Sequence, residues 1–169
     1  MRIYIVGFMG AGKSTYGKRL ANAMGYKSID LDALIEEKSG KTITEIFESQ
    51  GEEGFRTLEA EVLRSTLSEE DAVIATGGGT ACFHENMNWM NSNGLTIYLR
   101  LFENILQKRL ERAQEERPLL AGMDDGERHS YVHESLTQRS VFYTQASWVI
   151  QPEQFGYKKL AEVLQAEYA

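Results

Sequence analysis

The chain is short of reactive sulfur and of imidazole. Cys82 is the single cysteine in 169 residues, so no internal disulfide can close and no cysteine-based metal site can assemble. A small packed side chain is the ordinary role of such a residue. His84, His129 and His133 are the three histidines; neither their spacing nor their neighbours fit a metal site, which leaves core or surface roles. Long apolar runs are missing too. None approaches a membrane span, and after Met1 and Arg2 the first run is four residues, too short for a signal-peptide core. The expectation is a cytoplasmic protein that engages no membrane. Positive charge is also scarce: 18 Lys and Arg against 25 Asp and Glu give a net charge of −7, which counts against nucleic acid bound on a broad basic surface. A monomer is compatible with this acidity and is the expectation. An anionic ligand would have to be met by local cations. No internal repeat, low-complexity tract or guanine-reading Asn-Lys-x-Asp occurs, so a GTPase switch is excluded.

What is present suits one globular domain over residues 1–169, with 42% hydrophobic and 25% charged residues. Residues 3–6 read as a strand and 13–24 as a helix, closed by Gly25 in the position of a C-terminal cap. A short strand over 28–30 leads into a helical stretch ending near Gly40, and Thr42 with Glu45 forms a capping-box pattern for the next helix. From Glu52 onward, Phe55, Leu58, Val62 and Leu63 fall on one helical face. Residues 72–75, 95–99 and 148–150 read as three further strands, each followed by a helical pattern. Five apolar strands separated by helices predict an α/β fold: a five-stranded parallel sheet with helices on both faces. Ligands of such sheets bind beyond the C-terminal ends of the strands.

"GFMGAGKST", residues 7–15, follows the first strand and opens the first helix. It satisfies the phosphate-loop pattern, with Gly7 and Gly12 at the fixed spacing and Lys13 and Ser14 after them. The glycines let backbone N–H groups face phosphate oxygens, the helix start adds positive potential, and Lys13 reaches the terminal phosphates. Gly10, Ala11, Gly12, Lys13, Ser14 and Thr15 are therefore the candidate contacts to a nucleoside triphosphate, and the Ser14 hydroxyl is suited to Mg²⁺. "IDLDAL" then sets Asp30 and Asp32 at the end of the second strand, pointing into one crevice. One can face magnesium and the other an acceptor hydroxyl; alternatively Asp32 only caps the following helix. A second glycine run, Gly77, Gly78 and Gly79 in "ATGGGTACF", follows the third strand. Such a run marks a backbone that turns sharply or is approached closely.

Together, "FMGAGKST", "IDLDALIEE", "GEEGFRTLEAEVL", "IATGGGTA" and "RPLLAG" resemble the shikimate kinases, small P-loop kinases related to nucleoside monophosphate kinases, in the family's order from residue 3 to about residue 143. The resemblance implies a three-layer P-loop NTPase sandwich that transfers the γ-phosphoryl group of ATP to the 3-hydroxyl of shikimate, with one Mg²⁺ per subunit. It implies a phosphate loop over 7–15, an acceptor region over about 31–63 and a lid over about 112–124. Asp32 resembles the aspartate that orients or deprotonates the attacking hydroxyl, and Asp30 the partner that reaches magnesium, through water. Arg56 and Arg139 resemble the two arginines that hold the substrate carboxylate, a pairing suited to planar guanidinium groups; from the residue alone, Arg139 reads equally as a solvated helix surface. Gly77, Gly78 and Gly79 match the motif whose backbone lines the acceptor pocket, where a side chain would clash with the ring. Arg117 resembles the lid arginine that closes over the nucleotide, with Leu119 and Leu120 beside it; pairing with Glu115 or Glu116 is the plainer alternative. In "KRLERAQEERPLL" the further nucleotide-contacting arginine is Arg112 or its competitor Arg109, and "QPEQFGY" occupies the adenine-side loop.

Overall fold

Strand β1 (Arg2–Val6) alternates its side chains between two apolar surfaces, Ile3 and Ile5 facing one way, Tyr4 and Val6 the other. That is the pattern of a strand covered on both faces, and it sets the layering of the molecule. The computed structural model describes residues 1–113 and 120–168. The remaining elements are α1 (Lys13–Met24), β2 (Lys27–Asp30), α2 (Leu31–Ser39), α3 (Ile43–Ser65), β3 (Ala72–Ala75), α4 (Asn86–Asn93), β4 (Leu95–Leu99), α5 (Glu103–Arg112), α6 (Asp125–Tyr143), β5 (Trp148–Ile150) and α7 (Tyr157–Glu167). The five strands pair in parallel in the order β2-β3-β1-β4-β5. Helices α1 and α7 close one core with Ile3, Ile5, Val73 and Ile97; the other core gathers Tyr4, Val6, Ile74 and Tyr98 with Leu63, Leu110 and Val132. The result is the three-layer P-loop NTPase sandwich of the nucleoside monophosphate kinase type.

The local signals end the elements where expected. Gly25 and Gly40 close α1 and α2 at φ of 72° and 67°, left-handed conformations that glycine adopts without strain. Thr42 and Glu45 form the reciprocal capping box of α3. The helix expected after Thr42 and the helical face beginning at Glu52 are one element, broken at Gly51, whose φ of 70° and ψ of −176° are not helical. Beyond that break lie Phe55, Val62 and Leu63 in the core, with Leu58 half-buried beside them.

With β1 central, the chain crosses from β1 past β3 to β2 and later returns to β4 on the other side of β1. The reversal leaves a crevice beyond the C-terminal ends of β1 and β3. Both glycine runs emerge there, one after Val6 and one after Ala75.

Candidate active site

Gly10 and Gly12 take φ of 79° and 85°, so the loop between β1 and α1 turns its backbone inward. No side chain caps α1, which leaves its first-turn N–H groups to whatever occupies the loop. Lys13 is buried to 8% exposure, and its ammonium donates to the Phe8 carbonyl oxygen at 3.0 Å. A cleft of ≈ 410 Å³ opens in front of it. It is lined by Gly10, Gly12, Lys13, Ser14 and Thr15 of the phosphate loop, by Asp30, Asp32, Thr76, Gly77 and Gly78, and by Met9 and Arg109. Ala11 is buried behind the loop.

Asp30, not Asp32, caps α2. Its Oδ1 accepts the Asp32 and Ala33 N–H groups at 3.1 and 3.3 Å, while Oδ2 accepts the Ser14 hydroxyl at 2.5 Å. Asp32, in the first turn of α2, is thereby freed from the capping role and faces the cleft. Water reaches it through the open cleft, yet protein surrounds most of its carboxyl group. Lost hydration is the main reason its pKa is pushed up to about 6; the neighbouring Asp30 and Glu59 add to the rise, and Lys13 and Arg56 oppose it.

This carries a pH prediction with two parts. If Asp32 works as a base, kcat/KM falls as pH drops through about 6, and Asp32→Asn lowers kcat far more than it weakens ATP binding. The folded form binds this proton more tightly than the unfolded chain, whose carboxyl keeps the ordinary value of 3.8. Stability from this group is therefore lost as pH rises from about 4 to about 6 and stays lost above. Asp32→Asn should raise Tm at neutral pH, with the gain vanishing below pH 3.8. A Tm equal to wild type at neutral pH would refute the raised pKa.

The second glycine run needs space rather than an unusual backbone: none of Gly77, Gly78 and Gly79 has a positive φ. A Cβ on Gly79 would stand 2.5 Å from Arg56 Nη2, and one on Gly77 would meet Asp32 Oδ1 and Glu59 Oε1, each at 3.2 Å. On Gly78 it would press on the Met9 backbone nitrogen at 3.2 Å, with Arg139 Nη1 at 3.6 Å. The close approach is thus by the site's own side chains and by the first glycine loop. Arg56 and Arg139 come to neighbouring glycines from α3 and α6, and Arg139 also lies over the Phe8 ring.

Glu59 is the residue that sequence reasoning missed. It is 1% exposed; Oε2 accepts from Arg56 Nη1 at 2.8 Å and Oε1 from the Thr80 hydroxyl at 2.6 Å. The available signal was its place on the apolar stripe of α3, four residues after Phe55 and three before Val62. Arg56 itself is 9% exposed and is sandwiched by the Phe55 and Phe83 rings.

Of the two competing arginines, Arg109 comes to the phosphate loop. Its Nη1 donates to the Gly10 carbonyl oxygen at 3.2 Å and its Nη2 lies 3.9 Å from Glu153 in the "QPEQFGY" loop. Arg112 is exposed and is not among the residues that line the cleft. Leu110 of the same helix packs against Gly10, and Arg112, two residues on, is turned about 160° away from it. Arg117 and Leu119 lie outside the described residues; Leu120 is fully buried. Cys82 packs partly buried against the core, and burial raises its thiol pKa, against nucleophilic use. His133 pairs with Glu103 on the surface. Among the described residues no cluster of three or more His, Cys, Asp or Glu could hold a metal, and no helix is long and apolar enough to cross a membrane.

Comparison with known proteins gives this geometry a family. The sequence is 42% identical over 154 residues to a shikimate kinase of Bacteroides thetaiotaomicron, covering 91% of this chain and 88% of that one. It is 45% identical over 146 residues to a shikimate kinase of Parabacteroides distasonis, covering 86% and 84%. The fold superposes on the crystal structure of a shikimate kinase from Bacteroides thetaiotaomicron with a TM-score of 0.89 at 38% identity, over 99% of this chain and 98% of that one. A shikimate kinase from Acinetobacter baumannii in complex with shikimate gives 0.84 at 36%, over 99% and 92%. The pattern of the shikimate kinase family itself matches residues 9–166. With two glycine loops, paired aspartates and flanking arginines gathered at one crevice, and with relatives this near over most of its length, the chain belongs to the shikimate kinase family.

Proposed function

We propose that the protein transfers the γ-phosphoryl group of ATP to the 3-hydroxyl of shikimate, releasing shikimate 3-phosphate and ADP. The carrying observation is that one cleft is lined both by the phosphate loop and by Asp32, Gly77 and Gly78. In this reading Gly10 to Thr15 hold the triphosphate, and Lys13 exchanges its contact with Phe8 for the β- and γ-phosphates. Asp32 accepts a hydrogen bond from the attacking hydroxyl and takes its proton. Arg56 and Arg139 grip the acceptor carboxylate across Gly77, Gly78 and Gly79. Little covalent chemistry falls to the protein in such a transfer, so alignment and charge stabilisation supply the rate.

Magnesium fits the oxygen donors present. Mg²⁺ takes one or two protein oxygens and completes its shell with phosphates and water, and the Ser14 hydroxyl and Asp30 carboxylate meet at 2.5 Å beside the phosphate loop. Ser14 would bind it directly and Asp30 through water; when bound, the ion neutralises charge on the phosphates. Arg117, carried on a lid over about 112–124, completes the proposal by adding a cation and excluding water. Arg109 serves the nucleotide side in place of Arg112. We include a cytoplasmic monomer with no nucleic-acid or membrane partner, the net charge of −7 supporting the part on nucleic acid.

The test is ADP release from Mg-ATP with shikimate, gluconate or AMP added separately. Turnover with shikimate alone is expected. Turnover with another acceptor would keep the kinase and discard the carboxylate pocket, and no turnover would favour a nucleotide-binding regulator.

A further inference from the structure

Arg139 and Tyr143 stand one turn apart on α6, and both reach Gly78. The Tyr143 hydroxyl donates to the Gly78 carbonyl oxygen, while the Arg139 guanidinium passes beside the same residue. Tyr143 is completely buried, its ring tilted against that of Tyr98 with centroids 5.1 Å apart. Burial holds its pKa well above the ordinary phenol range, which the nearby Arg139 only partly offsets. The hydroxyl is accordingly a hydrogen-bond donor at any working pH.

A planar trans peptide sends its C=O and N–H in opposite directions. Anchoring the Gly78 carbonyl on a buried hydroxyl therefore aims the Gly79 N–H away from Tyr143. Gly79 is buried, and among the described residues no protein acceptor takes this N–H. Buried amides without a partner are rare in folded proteins. Here the unpaired donor sits where Arg56 lies against Gly79 and Arg139 lies against Gly78.

We propose that Tyr143 is a positioning residue for the acceptor: its hydroxyl fixes the Gly78–Gly79 peptide so that the Gly79 N–H and the two flanking guanidinium groups meet one substrate together. The inference rests on the acceptor assignment above, and its test separates the two. Tyr143→Phe keeps the ring and removes the hydroxyl, with its donation to Gly78 and its interaction with Arg139. Backbone amide NMR of the ligand-free protein should show shifted Gly78 and Gly79 signals and faster Gly79 exchange. In steady-state assays the shikimate KM should rise on the order of five- to tenfold, the worth of about one hydrogen bond, and exceed any change in kcat or in the KM for ATP. Unmoved Gly78 and Gly79 amides would overturn the hold on the peptide whatever the substrate. Moved amides with an unmoved shikimate KM, or kcat and both KM values deteriorating together with Tm, would reduce Tyr143 to core packing. A wild-type protein inert toward shikimate would overturn the acceptor reading instead, with the amide comparison still deciding what Tyr143 holds.

Discussion

Replacing Lys13 with methionine will cost at least about 10²–10³-fold in kcat, the scale of removing one preorganised donor from a transition-state charge, and will leave the fold in place. The two side chains are of similar length, so the buried stem keeps its packing. The Phe8 carbonyl that now accepts from the ammonium retains the Ala11 N–H at 3.2 Å. Circular dichroism and Tm near wild type, with turnover lost, is the expected pair of results. Lys13 also lowers the pKa of Asp32, so the residual activity should have its acid limb moved to higher pH. A kcat within tenfold of wild type would remove the phosphate loop from the reaction.

Arg56→Met should raise the acceptor KM by on the order of 10²-fold, because a guanidinium–carboxylate contact carries two charge-assisted hydrogen bonds. It should also destabilise the protein by about 3–5 kcal/mol, since it leaves an uncompensated charge buried. That charge is Glu59, whose side chain is 1% exposed and whose partner is Arg56 at 2.8 Å. The two effects can be pulled apart. Adding Glu59→Gln should restore most of the lost Tm, because the amide no longer carries the charge, and should leave the acceptor KM as poor as in the single variant. If the second substitution also restores KM, Arg56 acts only by balancing Glu59, and the carboxylate grip lies elsewhere.

How much of this was legible beforehand depends on the range of the interaction. Strands β1, β3, β4 and β5 were announced by apolar runs and β2 only by a short stretch around Ile29, and the glycine and capping-box punctuation ended α1 and α2 and began α3 as expected, because those signals act within a few residues. The phosphate loop was legible for the same reason: its residues are consecutive. The role of Glu59 was not, since its partner Thr80 is 21 positions away and its place on an apolar stripe marks a buried position without naming what it meets. That Arg109 rather than Arg112 reaches the phosphate loop depends on which face of α5 meets Gly10, a contact across 99 positions. Three glycines in a row announced a close approach; that Arg56 and the Met9 backbone make it required the packed fold. Asp32 as a helix cap was a fair local alternative that Asp30, two residues earlier, pre-empted by accepting the Asp32 and Ala33 N–H groups.

Asp30 has each of its carboxylate oxygens engaged, one with the start of α2 and the other with Ser14. Its rotamer is frozen as the chain folds, when β2, α2 and the phosphate loop come together. Any cation taken up beside Ser14 then meets a carboxylate that has already surrendered its conformational entropy. The ordering belongs to folding and the later association is spared it, so a helix start and a phosphate loop far apart in sequence share one act of preorganisation.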